Sequence, residues 1–410
     1  MPVQTTNSIQ TSIPGLEFAA ATLTWTIAPN VVVSSSGDYG VYSSYISSTL
    51  INHGIANSDS SHGVYVPADY AHVINADGAQ ISAQDDAVNI VGYQARVQNL
   101  GLITGSGNGV RIVGEASEVD NAGYLYGYSN AVWITASVGG ASVTNSGEMN
   151  GYYGGLTLSV ETTATIHNQG LIAAPDAVSL WFGSLRLSND GVIAGRVLSA
   201  GGADEVLNAG RIFGAVELAD GADALVNGGR IFGAVLLGLG ADVYDGRGGS
   251  HEGFYVDGGD GDDLLRGGGA EDNLRGGLDV DTLNGKGGDD VLAGGRHGDR
   301  LTGGGGADEF AYLSLLDSAV DPVRRDTITD FHRGEGDVID LSALDAVGGP
   351  GNQAFDFIGT AAFSNVAGQL RYGVSGGNAL VQADVNGDGA ADFTLLLSDV
   401  SGLNAGDFVL

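Results

Sequence analysis

From Gly258 to Ala311 the chain holds one register through six consecutive nonapeptides: GGDGDDLLR, GGGAEDNLR, GGLDVDTLN, GKGGDDVLA, GGRHGDRLT and GGGGADEFA. Each opens on Gly, carries Asp at its sixth position and a large apolar residue at its eighth. The Asp series is Asp263, Asp272, Asp281, Asp290, Asp299 and Asp308; the apolar series is Leu265, Leu274, Leu283, Leu292, Leu301 and Phe310. Gly and Asp runs usually mean disorder, but a linker has no reason to keep Asp and Leu in phase through six repeats. If two nonapeptides make one turn of a solenoid, Asp residues eighteen apart stack along two edges. The apolar residues then stack into a thin core.

Such edges suit a hard cation. The glycines turn the chain through conformations closed to other residues and aim carbonyls inward, and carboxylate and carbonyl oxygens are what Ca2+ prefers. Candidate ligands to several Ca2+ ions are Asp242, Gly258, Gly259, Gly261, Asp263, Gly267, Asp272, Gly276, Asp281, Gly285, Gly287, Asp290, Gly294, Asp299, Gly303, Gly304, Gly306 and Asp308. Lapses fall at single sites: Ala270, Asp279 and His297 stand at position four, and Lys286 replaces the second Gly of the fourth repeat. The pattern is identified as the RTX (repeats-in-toxin) calcium-binding repeat.

Upstream runs a longer repeat, Asn-x-Gly-x-Ile-x-Gly, clearest from Asn99, Asn121, Asn145, Asn168, Asn189, Asn208 and Asn227 and weaker from Asn52 and Asn75. The Asn-to-Asn steps are 23, 24, 22, 24, 23, 21, 19 and 19 residues. A period near twenty with Gly turns is a solenoid signature. Stacked Asn side chains are expected to hydrogen-bond along the axis, with the Ile position in the core. A Gly-Ala-Asp enters the 19-residue turns at Gly202, Gly221 and Gly240, so the two repeats are expected to form one solenoid of tightening turns. The first 48 residues, with apolar clusters Leu23–Ile27 and Val31–Val33, read as a cap or arm.

Composition narrows the partners. The net charge is -33 with a single Lys, Lys286, and no Lys or Arg before Arg96, which disfavours nucleic acid and anionic membranes and favours divalent cations. The 70 glycines sit beside only 7 prolines, a balance for tight turns between short strands. There is no cysteine for disulfides or thiolate metal sites. No apolar run is long enough to span a bilayer. The N-terminus lacks a secretory pattern, although a weak calcium site suits the millimolar ion outside the cell.

The segments DTITDFHRGEGDVIDLSALDA (from Asp326), ADVNGDGAADFTLLL (from Ala383) and GDFVL (from Gly406) resemble the domain that follows the calcium roll in serralysin-type proteases and other RTX exoproteins. The resemblance covers about 240–410. It implies uncleaved export through a type I channel from a Gram-negative bacterium, and so an extracellular or cell-surface location. Asp384, Asn386 and Asp388 have the spacing that opens a calcium loop, but Leu395 occupies the twelfth position; a tight turn is the other reading.

Catalytic signatures are missing. His251-Glu252 is followed by GFYV, so the zinc helix of the proteases is absent and protease activity does not carry over. The Gly373–Gly377 stretch matches a nucleophile elbow only formally, because no helical pattern follows it. The Asp-Pro-His signature of alginate epimerases is also absent. His53, His62 and His72 are spaced about ten apart, and Tyr42, Tyr45, Tyr124, Tyr126, Tyr128, Tyr152 and Tyr153 form Tyr-rich spots able to stack on sugars or on another subunit.

The expected fold is all-β: an N-terminal cap (1–48), a parallel β-solenoid or β-helix (49–239), an RTX calcium β-roll (240–311) and a small β-rich C-terminal cap with the secretion signal (312–410). The expected function is a secreted, calcium-folded structural protein, not an enzyme, that self-assembles as a surface-layer or filament subunit. Its plan resembles that of RTX surface-layer proteins, and exposed strand edges favour pairing between copies. The alternative is a carbohydrate-active or carbohydrate-binding exoprotein with surface polysaccharide as partner.

Overall fold

A computed structural model describes residues 3–4, 8–10, 15–17, 24–251, 254–348 and 351–410; Leu23 and Glu252 lie outside them. The fold is all-β, the described residues holding one 3-10 turn, Ala405–Asp407, among short strands. Among the described residues no helix is long and apolar enough to cross a membrane. The chain divides into two compact units, Met1–Leu218 and Ala219–Leu410.

The first unit is a parallel β-solenoid with three short strands in its regular turns. His72–Asn75, Gln80–Ala83 and Val88–Val91 pair with Arg96–Asn99, Leu102–Gly105 and Val110–Val113 of the next turn. Side chains alternate across a strand, so Val73, Ile81, Val97, Ile103 and Ile112 point inward and are fully buried. The Ile position of the long repeat fills the core as its period requires: Leu125, Met149, Ile172, Ile193 and Ile212 are fully buried too. Residues 24–42 are stacked in the same way, with Thr24–Ile27 on Thr49–Asn52, Val32–Ser35 on Ile55–Ser58, and Val41–Tyr42 on Val64–Tyr65.

The repeat's Asn residues form a buried ladder. Nδ2 of Asn52, Asn75, Asn99, Asn121, Asn145, Asn168 and Asn189 each donates to Oδ1 of the Asn one turn on, at 2.8–2.9 Å. A side-chain ladder satisfies polar groups that the parallel strands would otherwise bury unpaired. The Gly two places after every ladder Asn but Asn75 has a steric cause: a Cβ on Gly123 would fall onto the Gly101 carbonyl of the turn below. Asn145→Ala removes the acceptor of Asn121 and the donor to Asn168 and Leu171. It is expected to cost about 3 kcal/mol, as orphaned buried amides do, read as a lower midpoint in urea unfolding.

The second unit is itself a parallel stack, built of shorter turns. One column runs Tyr244, Leu265, Leu283, Leu301 and Ile328, and another runs Val256, Leu274, Leu292, Phe310, Ile339 and Phe408. Tyr244 is nearly and the other column members through Ile339 are fully buried, so the apolar series at position eight is the core of the roll. Thr327–Ile328 and Val338–Asp340 add a further step to the two columns. Antiparallel strands Gln369–Ser375, Asn378–Asp384 and Phe393–Leu397 follow, the last of them pairing with Thr327–Ile328.

Candidate metal centre

The position-six carboxylates stand in two columns inside the second unit. Along one edge, the backbone N–H of Asp223, Asp242, Asp263, Asp281 and Asp299 donates to Oδ1 of Asp242, Asp263, Asp281, Asp299 and Asp326 respectively, at 2.7–2.9 Å. Along the other, Asp272, Asp290 and Asp308 donate to Asp290, Asp308 and Asp337 at 2.8–3.1 Å. One oxygen of each carboxylate therefore belongs to the fold. The other is left over: Oδ2 of Asp242, Asp263, Asp281, Asp290, Asp299 and Asp308 is buried and accepts no hydrogen bond among the described residues.

Such oxygens carry an electrostatic cost. Burial pushes the Asp281 carboxyl up to about 9, and repulsion from Asp299 and Asp263 adds to it. Burial likewise raises Asp263, Asp290 and Asp299 to about 7 and Asp308 to about 6, and it raises Asp242, Asp272 and Asp337. Backbone donors pull against burial at each of these sites but do not offset it. Neighbouring carboxylates without a counter-charge disfavour the ionised form.

The glycines complete a cradle of hard oxygens. A Cβ on Gly276 would fall onto both Asp281 Oδ2 and the Gly294 carbonyl oxygen, and the same pair closes on Gly258 (Asp263, Gly276), Gly267 (Asp272, Gly285) and Gly285 (Asp290, Gly303). At Gly294 and Gly303 the Cβ would meet the carboxylates of Asp299 and Asp308. Position one is Gly because its missing side chain leaves room for the carboxylate. Unpaired buried carboxylate oxygens beside inward carbonyls are a donor set that fits Ca2+.

Gly261 and Gly306 at position four are left-handed, with φ of 131° and 138°, and Gly259 and Gly304 at position two have φ of 107° and 105°. Three of the substituted positions follow them, Asp279, Lys286 and His297 adopting φ of 75°, 79° and 86°, whereas Ala270 keeps a negative φ. Asp and His tolerate this region better than most residues, and the Asp279 N–H donates to His297 Nδ1 at 3.1 Å. Gly287 at position three has an open surround, its nearest neighbour to a Cβ being the Gly305 carbonyl at 3.6 Å. The second nonapeptide differs: the Gly268 N–H donates to Asp272 Oδ2 at 2.7 Å, so that carboxylate is already engaged. Asp281→Ala is therefore expected to raise the calcium midpoint of folding about tenfold, against about threefold or less for Asp272→Ala, in calcium titrations followed by circular dichroism.

Each edge runs one step beyond the nonapeptides. Asp326 and Asp337 extend the columns, 27 and 29 residues beyond Asp299 and Asp308. Asp308, last in the nonapeptide series, is thus an interior member of its column. The signal was present as Asp-x-apolar, since Asp326-Thr-Ile328 and Asp337-Val-Ile339 repeat the Asp281-Thr-Leu283 phrase. Asp330 adds to this end by accepting the Gly303 and Gly304 N–H groups at 3.0 and 2.9 Å.

Asp384, the last residue of the strand Asn378–Asp384, and Asn386 and Asp388 in the connection from it to Phe393–Leu397 lie apart from the columns. Asp384 accepts the Gly387 and Gly389 N–H groups at 2.7 and 2.9 Å, Asn386 accepts that of Asp388, and Asp388 that of Ala390. These are hydrogen bonds of a tight turn. Ser375 of the formal elbow pairs with Asn378 at the end of an antiparallel hairpin. His62 packs against Tyr39 and Tyr65, with Nδ1 at 3.6 Å from Asp85 and 3.9 Å from Asp86.

Comparison with known proteins adds the following. Residues 190–410 match the family described as Peptidase M10 serralysin C terminal. Among solved structures, the AlgE6R3 subunit of the mannuronan C5-epimerase of Azotobacter vinelandii is similar at 27% identity and TM-score 0.27, over 36% of this chain and 77% of that one. The AlgE6R2 subunit of the same epimerase is similar at 29% identity and TM-score 0.28, over 38% and 92%. A comparison with curated proteins finds no match.

Proposed function

The chain belongs to the peptidase M10 serralysin C-terminal family, and from that premise we propose that it is a secreted structural protein whose roll folds on binding several Ca2+ ions and which then self-assembles at the cell surface. The observation that carries this reading is the pair of aspartate columns, in which Oδ2 of Asp242, Asp263, Asp281, Asp290, Asp299 and Asp308 is buried and accepts no hydrogen bond among the described residues, those of Asp263, Asp281 and Asp290 lying beside glycine carbonyls. Asp242, Asp263, Asp281, Asp290, Asp299 and Asp308, with carbonyls from the position-one glycines, would hold the ions. The ions supply positive charge, and their binding free energy becomes folding free energy.

The family is the non-catalytic C-terminal part of its peptidases, which supports a non-enzymatic role, and export through a type I channel of a Gram-negative bacterium accords with the resemblance of residues 312–410. That segment is read as the cap carrying the export signal, after the β-roll at 240–311. Self-assembly is supported by how the turns are held, through parallel backbone hydrogen bonds that a strand of a second copy can extend. The test is calcium titration of chelated protein, followed by light scattering and negative-stain microscopy and reversed with chelator. Ordered filaments or sheets that dissolve on chelation are the expected result; a folded, calcium-loaded protein that stays monomeric at high concentration defeats the assembly reading.

A further inference from the structure

Away from the aspartate columns, three consecutive turns of the first unit build a notch. The strands Asn130–Ala136, Gly154–Val160 and Leu171–Leu180 place Trp133, Thr157 and Ser179 in one outward column, and Asn130, Gly154 and Asp176 in the next. The first column thus passes from a larger residue to smaller ones, Thr157 and Ser179 following Trp133, and in the second Gly154 leaves the floor between Asn130 and Asp176 without a side chain. The groove measures about 270 Å³. Two strand spacings make it about 10 Å wide, the span of one or two sugar rings.

Its walls are aromatic and held in place. The Arg111 guanidinium lies 5.2 Å over the Trp133 ring. Tyr153 on the rim is 60% exposed yet braced edge-on by Tyr152 and Tyr128, at 4.9 and 5.6 Å between ring centres. Trp181 stands on the rim at 56% exposure. The floor is polar: Thr157 Oγ1 donates to Asn130 Oδ1 at 2.6 Å, and Asp176 accepts Arg196 Nε at 2.8 Å. Exposed aromatic rings around a few fixed polar groups are the composition of a ligand site.

We propose that this notch binds a neutral glycan chain, pyranose C–H faces lying on Trp133, Trp181 and Tyr153 while hydroxyls meet Asp176 and Ser179. The proposal goes beyond the calcium-dependent structural role and does not depend on it. A neutral ligand is favoured because the chain carries a net charge of -33, which repels polyanions, while the Asp176 carboxylate, already paired with Arg196, offers the groove a hydrogen-bond acceptor suited to hydroxyls. A second protein copy is disfavoured because a dry interface would strip water from the Asp176–Arg196 pair at a cost that sugar hydroxyls offset.

The chain has three tryptophans, and two of them line the groove, so their emission reports on it. The full chain in calcium is titrated with cellotetraose, laminaritetraose and maltotetraose, with tetragalacturonate as the acidic comparator. A saturable change with at least one neutral tetrasaccharide is expected, weakened tenfold or more by Trp181→Ala and by Tyr153→Ala while the circular dichroism and melting curve are unchanged. No saturable response to any neutral tetrasaccharide overturns the proposal, as does equal or tighter binding of tetragalacturonate. So does unchanged affinity in both variants, or emission that follows protein concentration alone and loses that dependence in Trp181→Ala, which marks a contact between copies.

Discussion

Gly276→Ala is expected to abolish calcium-driven folding of the second unit at millimolar Ca2+, whereas Gly305→Ala leaves the calcium midpoint within about twofold of the parent. The two substitutions add the same methyl group to the same roll. At Gly276 the methyl takes the space between Asp281 Oδ2 and the Gly294 carbonyl, and at Gly305 it meets nothing within 4 Å. Neither change rests on a left-handed φ, since neither residue has one. The difference is therefore one of room in the cradle rather than of backbone strain. Loss of the cradle removes the oxygens that make cation binding a source of folding free energy. Circular dichroism against free calcium checks both variants; equal midpoints would mean that the cradle is not where the ion binds.

Without divalent cations, the second unit is expected to fold near pH 4 to 5 and to unfold by about pH 9, while in calcium the dependence reverses. An aspartate in an unfolded chain titrates near 3.9. In the fold, burial raises Asp308 to about 6, Asp263, Asp290 and Asp299 to about 7, and Asp281 to about 9. Groups with raised pKa values bind protons more tightly when folded. Their contribution to stability is complete below the unfolded value and is lost as pH rises through the folded values. The metal-free loss therefore spreads over roughly pH 4 to 9.

Calcium takes the proton's place and needs the ionised carboxylate, so the calcium midpoint rises as pH falls. For a carboxyl near 7 the ionised fraction drops about tenfold between pH 8 and 6, and the midpoint should shift by at least about that factor. Melting curves in chelator across pH, paired with calcium titrations at pH 6 and 8, separate the two regimes. A metal-free roll more stable at pH 8 than at pH 5 would show that the Oδ2 atoms find partners in solution.

Much of this is legible in the order of residues. Leu265, Leu274, Leu283, Leu292, Leu301 and Phe310 recur every nine residues because two strands and two turns consume eighteen, and all six are fully buried. The Asn ladder was legible for a related reason: a turn-to-turn hydrogen bond demands the same side chain once per turn, whether the turn takes 19 or 24 residues. Strict local repetition is the one way a sequence displays contacts between distant residues directly.

Where repetition lapses, strand pairing sets the contacts. Asp326 and Asp337 join their columns across longer connections, because their strands pair with Arg300–Leu301 and Glu309–Ala311 and so bring each carboxylate beneath the one before it. Asp272 resembles its five counterparts in sequence, yet the local backbone aims the Gly268 N–H at the oxygen that five of them leave open. The notch shows the limit most clearly. Trp133, Thr157 and Ser179 share no motif and lie 24 and 22 residues apart, and only parallel registration places a large residue beside two small ones. The period, the core and the columns follow from the order of residues alone, since each recurs with every turn. The depth of the notch and the state of each carboxylate arise from residues that differ between turns, and those meet only when the strands pair.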